Sequence, residues 1–183
     1  APYSDDPDNE GLMTLKEVQV EAFLKTALRN GIQVNTHAIG DRANRYVLQW
    51  YKDAFDSVPK SSWKVKDPRW RVEHAQIVNV DDIPLFAEYG IIPSMQPSHA
   101  IGDFYFAGDR LGKKRLNGAY AWRSLIDSGS IVVGGSDAPV EVGDPRIEFY
   151  AATQRKDLKG YSNEDWHAEE RVTPQEALKM FTI

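Results

Sequence analysis

The chain has 183 residues, 42% hydrophobic, 27% charged and 11% aromatic, which is enough apolar content and length for one buried core and excludes a disordered segment or a mini-protein. Its 22 Lys and Arg against 27 Asp and Glu leave a net charge of −5 with no long block of one sign, so nucleic acid is not an expected partner. Cysteine is absent, which leaves His and carboxylate as the ligands for any metal; no apolar run reaches the roughly 18 residues of a membrane span, and with no signal-peptide pattern a cytoplasmic location is the default expectation.

Residues 1–13, rich in Pro, Asp, Asn and Gly, read as an extended lead-in. A helix follows, with Thr14 and Glu17 as a capping box, Val20, Phe23, Leu24, Ala27 and Leu28 on its apolar face and Asn30-Gly31 as its stop. Ile32 to His37 is a strand. Gly40-Asp41 opens a helix with an apolar face at Ala43, Tyr46, Val47, Trp50, Tyr51 and Ala54. Trp70 to Ala75 is a second strand, followed by a helix capped by Asp81 or Asp82 and closed at Gly90. Ile91 to Met95 is a third. Ser98 to Asn117 shows no period and reads as a long loop, a candidate lid. Ala119 to Ser128 is helical, Ile131 to Gly135 is a buried strand, and a helix covers Pro145 to Lys156. Thr173-Pro174-Gln175-Glu176 then opens a last helix that runs to the end of the chain. Strand starts near 33, 70, 91 and 131 are spaced like βα units, whose long crossovers imply a parallel sheet in a single α/β domain spanning 1–183. That length falls short of the ~250 residues of a complete (β/α)8 barrel.

Of the four histidines, His37, His74 and His99 stand at or just beyond strand C-termini, as does Asp137. In parallel α/β folds the βα loops converge at that edge and build the site. Imidazole and carboxylate are ligands that zinc and similar ions accept, and an Asp near such an ion takes up the proton of bound water. Plainer readings compete. Asp137 in Ser136-Asp137-Ala138-Pro139 suits a turn, Asp41 an N-cap and Arg42 a solvated charge. Tyr46, Trp50 and Tyr51 suit the core. His167, within the acidic run 163–170, reads as exposed and idle.

His37-Ala38-Ile39-Gly40-Asp41-Arg42-Ala43, Arg71-Val72-Glu73-His74-Ala75-Gln76, Ser94-Met95-Gln96-Pro97-Ser98-His99 and Gly135-Ser136-Asp137-Ala138-Pro139-Val140 occur in that order. Together they resemble the amidohydrolase superfamily, and within it the branch of N-substituted formamide deformylase and N-acyl amino acid deacylase. The lead-in Pro2-Tyr3-Ser4-Asp5-Asp6 and Gly11-Leu12-Met13 resemble the segment after the fourth barrel strand. The resemblance implies a TIM-type barrel of which this chain supplies strands five to eight, a partial barrel. It also implies His37 and His74 as ligands of one divalent metal, zinc first among candidates, and Asp137 as ligand of a second ion and proton shuttle. His99 would face a small-molecule substrate or its leaving group. The implied reaction is attack of metal-activated water on an amide, N-acyl or N-formyl C–N bond. The His-x-His of the first strand and the bridging Lys of the fourth have no counterpart here. The chain is therefore expected to be a fragment of such a hydrolase, the alternative being a catalytically silent or binding module. Open strand edges and an apolar inner barrel face would make it a homo-oligomer.

Overall fold

A computed structural model describes residues 1–162 and 166–182. Its centre is one parallel sheet of four short strands, β1 (Asn35–Ala38), β2 (Arg71–His74), β3 (Ile92–Met95) and β4 (Val133–Gly134), adjacent in chain order. Sequential parallel neighbours joined by helical crossovers form the wall of a (β/α)8 barrel, here four strands of it. The strand starts fall within two residues of those expected from the sequence. β4 departs most from expectation. It keeps only two residues, and Ile131 is exposed.

Helix α1 (Glu17–Asn30) buries Leu24, Ala27 and Leu28 and ends at Gly31, whose φ of 69° makes the left-handed cap that glycine adopts without strain. The Thr14–Glu17 capping box does not form. Lys16 holds the N-cap with no side-chain bond, and Phe23, counted on the apolar face, is 55% exposed. Helix α2 (Asp41–Ser57) packs across the sheet. Its Tyr51 is fully buried and donates to Arg71 O at 3.0 Å while Thr36 Oγ1 lies 2.6 Å from its hydroxyl, tying the helix to β1 and β2 at once. Trp50 is buried as expected, but Tyr46 stays 43% exposed, stacked on Trp50. Asp41 is the first residue of the helix rather than its cap, which is Gly40.

Helix α3 (Ile83–Tyr89) has Asp82 at its N-cap position without a side-chain cap bond, and is preceded by a 3-10 turn that Asn79 caps. The Asp82 carboxylate is occupied by Arg45 in a two-point contact at 2.8 and 3.0 Å. The expected loop from Ser98 to Asn117 is instead two helices, α4 (Pro97–Asp103) and α5 (Ala107–Leu116), the latter interrupted at Gly112. Ala100, Phe104, Ala107, Leu111 and Leu116 are buried there; tertiary burial outweighs the weak local propensity of a glycine-rich stretch. The lead-in forms no helix or strand but turns back on itself rather than running extended, with Tyr3 N donating to Asn9 O at 3.0 Å, and α5 holds it: Arg115 donates to Pro2 O at 2.6 Å and Arg110 pairs with Asp5 at 3.3 Å. Arg42 is not merely solvated but pairs with Glu10 at 2.7 Å.

Helix α6 (Trp122–Asp127) starts later than expected, after Tyr120 at φ 51°. Helix α7 (Pro145–Gln154) stops at Arg155, itself left-handed at φ 53°. The Arg155 guanidinium is 1% exposed, lies over the rings of Trp122 and Trp166, and donates to the carbonyls of Trp166, Tyr120 and Ala119. It satisfies three loop carbonyls that burial would otherwise leave unpaired. His167 is partly buried and its Nδ1 meets Glu169 at 2.6 Å, so it is not idle; residues 163–165 of that acidic run lie outside the described residues.

The inner barrel face is not apolar in its first two strands. Thr36 faces α2, so the alternating positions Asn35 and His37 face the other way, and their register partners are Arg71 and Glu73, joined at 3.0 Å.

Helix α8 (Pro174–Thr182) carries the capping box read from the sequence: Thr173 Oγ1 and N both donate to Glu176, and Glu176 N donates back at 3.3 Å. Ile183, the expected last residue of this helix, lies outside the described residues. Arg123 of α6 grips the same carboxylate at 2.5 and 3.0 Å. These bonds, Arg123 first, hold Glu176 down at about 2 against an ordinary 4.5. A depressed carboxylate stabilises the fold above its unfolded value, and that contribution is lost as pH falls from about 4.5 towards about 2. Glu176→Gln should cost about 1 kcal/mol near neutral pH, a modest value because the pair is partly solvated. It should also flatten the acid limb of the urea midpoint against pH; equal limbs would contradict the assignment.

Candidate metal centre

The β1–β2 register sets His37 opposite Glu73 and Ala38 opposite His74, so the two histidines leave the sheet at neighbouring strand ends. Their rings lie edge to face with centroids 4.5 Å apart. The pleat breaks at this point: His74 and Ala75 have φ values of 77° and 44°, conformations uncommon outside glycine that concentrate at functional positions. His37 is exposed, His74 only 8% so. Burial, then the neighbouring His37, push the His74 imidazolium below its ordinary range, against the opposing pull of Gln96 and Asp137. The shift favours the neutral imidazole, the form a metal ligand requires.

Gln96, the residue after β3, places Oε1 2.9 Å from His74 Nδ1. His99, in the first turn of α4, stacks on the other side of His74 with centroids 5.8 Å apart. Its Nε2 is buried with no hydrogen-bond partner; the Glu141 carboxylate stands 3.8 Å away. The α4 turn that carries it is held by Glu148, a 2%-exposed carboxylate that accepts from Ser98 N at 2.9 Å and from Ser98 Oγ. Burial pushes Glu148 above the usual carboxylate range, and the two Ser98 bonds oppose that shift. Asp137 follows β4 at φ 53° in a turn closed by Val140 N on Asp137 O at 2.8 Å. It is exposed, and its charge reaches His74.

The expected site residues thus divide. His37, His74 and His99 form one row of rings; Asp137 lies on the rim, separated from β2 by β3. Among the described residues no three His, Cys, Asp or Glu side chains converge closely enough to hold a metal ion. Two imidazoles side by side fit a partial donor set for a borderline ion such as zinc. A cavity of about 370 Å3 opens beside His37 between the lead-in and the end of β1, with Met13, Ile39, Trp50, Leu111 and Arg115 in its walls. Gln96, Glu141 and Glu148 were not singled out from the sequence. Gln96 stands directly before Pro97 at a strand end, a signal that was available; the two glutamates lie 42 and more residues beyond His99 in the chain and carry none.

A four-stranded parallel wall with imidazoles at its C-terminal edge is the arrangement of one side of a (β/α)8 barrel. The whole chain, residues 1–183, matches the Amidohydrolase family. It is 33% identical over 181 residues to "Putative amidohydrolase YtcJ" of Bacillus subtilis (strain 168), covering 99% of this chain and 33% of that protein. It is 32% identical to "Protein LONG AFTER FAR-RED 3" of Arabidopsis thaliana, covering 99% of this chain and 30% of that protein. The crystal structure of an uncharacterized metal-dependent hydrolase from Pyrococcus furiosus superimposes with a TM-score of 0.81 at 26% identity, over 98% of this chain and 34% of that one. The chain belongs to the amidohydrolase family, and it spans about a third of the length of these relatives.

One residue positions both histidine loops. Asn44 of α2 is fully buried, and its amide nitrogen lies 3.1 to 3.2 Å from the carbonyls of Ala38, Ile39 and Gly40 after β1 and of Ile77 after β2. Its Oδ1 has no partner; the reverse amide orientation would set that oxygen against four others. Ile39 O and Gly40 O also accept from Ile77 N and Asn44 N, respectively, so Asn44→Ala should cost about 1 to 2 kcal/mol, chiefly through the Ile77 carbonyl that loses its amide donor, and Asn44→Asp more, since a carboxylate would face those carbonyls. Urea unfolding followed by circular dichroism reads both; an Asp variant as stable as the parent would contradict the role.

Proposed function

We propose that this chain forms the strand five-to-eight side of a metal-dependent hydrolase that cleaves a C–N bond of amide, N-acyl or N-formyl type in a small molecule. The observation that carries the reading is the pair of adjacent imidazoles at the ends of β1 and β2, one of them buried. His37 and His74 would hold one divalent ion, with zinc the first candidate for an imidazole and carboxylate set; Asp137 would contribute to a second ion in a whole protein. When bound, such an ion supplies Lewis-acid polarisation of the carbonyl and lowers the pKa of bound water. The chain's own residues do the rest. His74 would ligate as the neutral imidazole, and Asp137, exposed at the rim, would take a proton from water and deliver it to the departing nitrogen. His99 offers a buried, unpartnered Nε2 for a hydrogen bond to the substrate carbonyl or leaving group. The description of the Pyrococcus furiosus structure as a metal-dependent hydrolase supports this reading.

A second reading, a catalytically silent or binding unit, is favoured by one observation: no three candidate ligands converge among the described residues. Metal content separates the two. After zinc loading and dialysis the chain should retain ion that a His37→Ala, His74→Ala double variant loses; equal metal in both would remove these residues as ligands. A hydrolysis screen on N-formyl and N-acyl amines, run on the chain joined to upstream barrel strands, should show activity abolished by Asp137→Asn. Metal bound without turnover would favour the binding role.

A further inference from the structure

We propose that Gln96 is a positioning residue that holds His74 as its Nδ1–H tautomer and so leaves Nε2 as the ring's free acceptor. Gln96 is 7% exposed, and both ends of its side-chain amide are engaged. The Ser94 carbonyl lies 3.3 Å from Nε2 of Gln96. A carbonyl only accepts, so the amide must turn its NH2 towards Ser94, and its oxygen then faces His74 Nδ1 at 2.9 Å. An amide oxygen also only accepts. The proton between the two must sit on Nδ1, and a neutral imidazole then carries its lone pair on Nε2. The reverse amide orientation would set the Gln96 oxygen against the Ser94 carbonyl oxygen in a buried site.

The backbone makes the arrangement rigid. Gln96 lies between β3 and Pro97, and the proline that opens α4 keeps its backbone extended at φ −120° and ψ 102°. The ring it addresses is packed between His37 and His99. Fixing the tautomer and ring orientation of a ligating histidine through its other nitrogen is the role that supporting groups play around metals. What Nε2 then binds rests on the metal reading above; the tautomer itself does not.

The test is a long-range 1H–15N correlation spectrum of the metal-free chain, labelled with 15N-histidine and held above the imidazole titration range at about pH 8. A His74→Asn variant assigns the signals. His74 should show a protonated Nδ1 in the parent chain. Gln96→Leu should lose that pattern, and Gln96→Glu, which keeps an acceptor oxygen, should retain it. A protonated Nε2 in the parent, or an unchanged pattern in Gln96→Leu, would overturn the proposal. Should the Leu variant not fold, the parent and Glu spectra still decide it, since loss of Nδ1–H in either contradicts the assignment. Zinc affinity measured by competition should fall about 10- to 100-fold in Gln96→Leu and much less in Gln96→Glu; equal affinity in the parent and Gln96→Leu would overturn the positioning role. A parent chain with Nδ1–H that takes up no zinc would sink the metal reading and leave the Gln96–His74 bond standing.

Discussion

Everything at the C-terminal edge of this sheet depends on keeping the chain segments after β1 and β2 side by side as they leave the pleat. Strand pairing does this as far as His74, where the backbone turns left-handed, and Ile77 N donating to Ile39 O at 2.9 Å adds one bond between the segments beyond it. Beyond that point four carbonyls, three from one segment and one from the other, gather around the Asn44 amide in a place water does not reach. Two N–H groups shared among four acceptors are a compact solution to the rule that buried backbone groups be paired. Because Asn44 sits in the first turn of α2, which Tyr51 fastens to both strands, helix, sheet and histidine loops are set as one unit.

The other half of the edge is held by a device used twice. A serine in the first turn of a short helix gives both its N–H and its hydroxyl to one buried glutamate from later in the chain: Ser98 to Glu148, and Ser124 to Glu170. A carboxylate at a helix N-terminus satisfies orphan donors and meets the positive end of the helix dipole. In the first case the consequence reaches the site, since the turn so fixed carries His99 against His74. Arg155 performs the converse task, a buried donor closing the carbonyls of a loop.

Much of the fold was legible because its signals are local. The βα spacing, Gly31 and Gly90 as helix stops, and the Thr173–Glu176 box all act over a few residues, and each is found where the sequence places it. So is the meeting of His37 and His74, which follows from two adjacent strand ends. What was not legible depends on distant partners. Ser98 to Asn117 reads as a loop because its helices draw on burial and on Glu148, some 50 residues away. The Thr14–Glu17 box is present in sequence yet unformed, and Asp82 takes the N-cap position of α3 while its carboxylate serves Arg45 instead of the helix N–H groups. The inner wall was expected to be apolar; Arg71 and Glu73 make it polar by pairing across one strand, a choice that alternation alone does not disclose.

The central claim is that His37 and His74 ligate one ion. X-ray absorption at the zinc edge of the loaded chain tests it most directly. The account predicts first-shell nitrogen at about 2.0 to 2.1 Å with the outer-shell pattern of two imidazole rings. A shell of oxygen alone, without imidazole scattering, would contradict it.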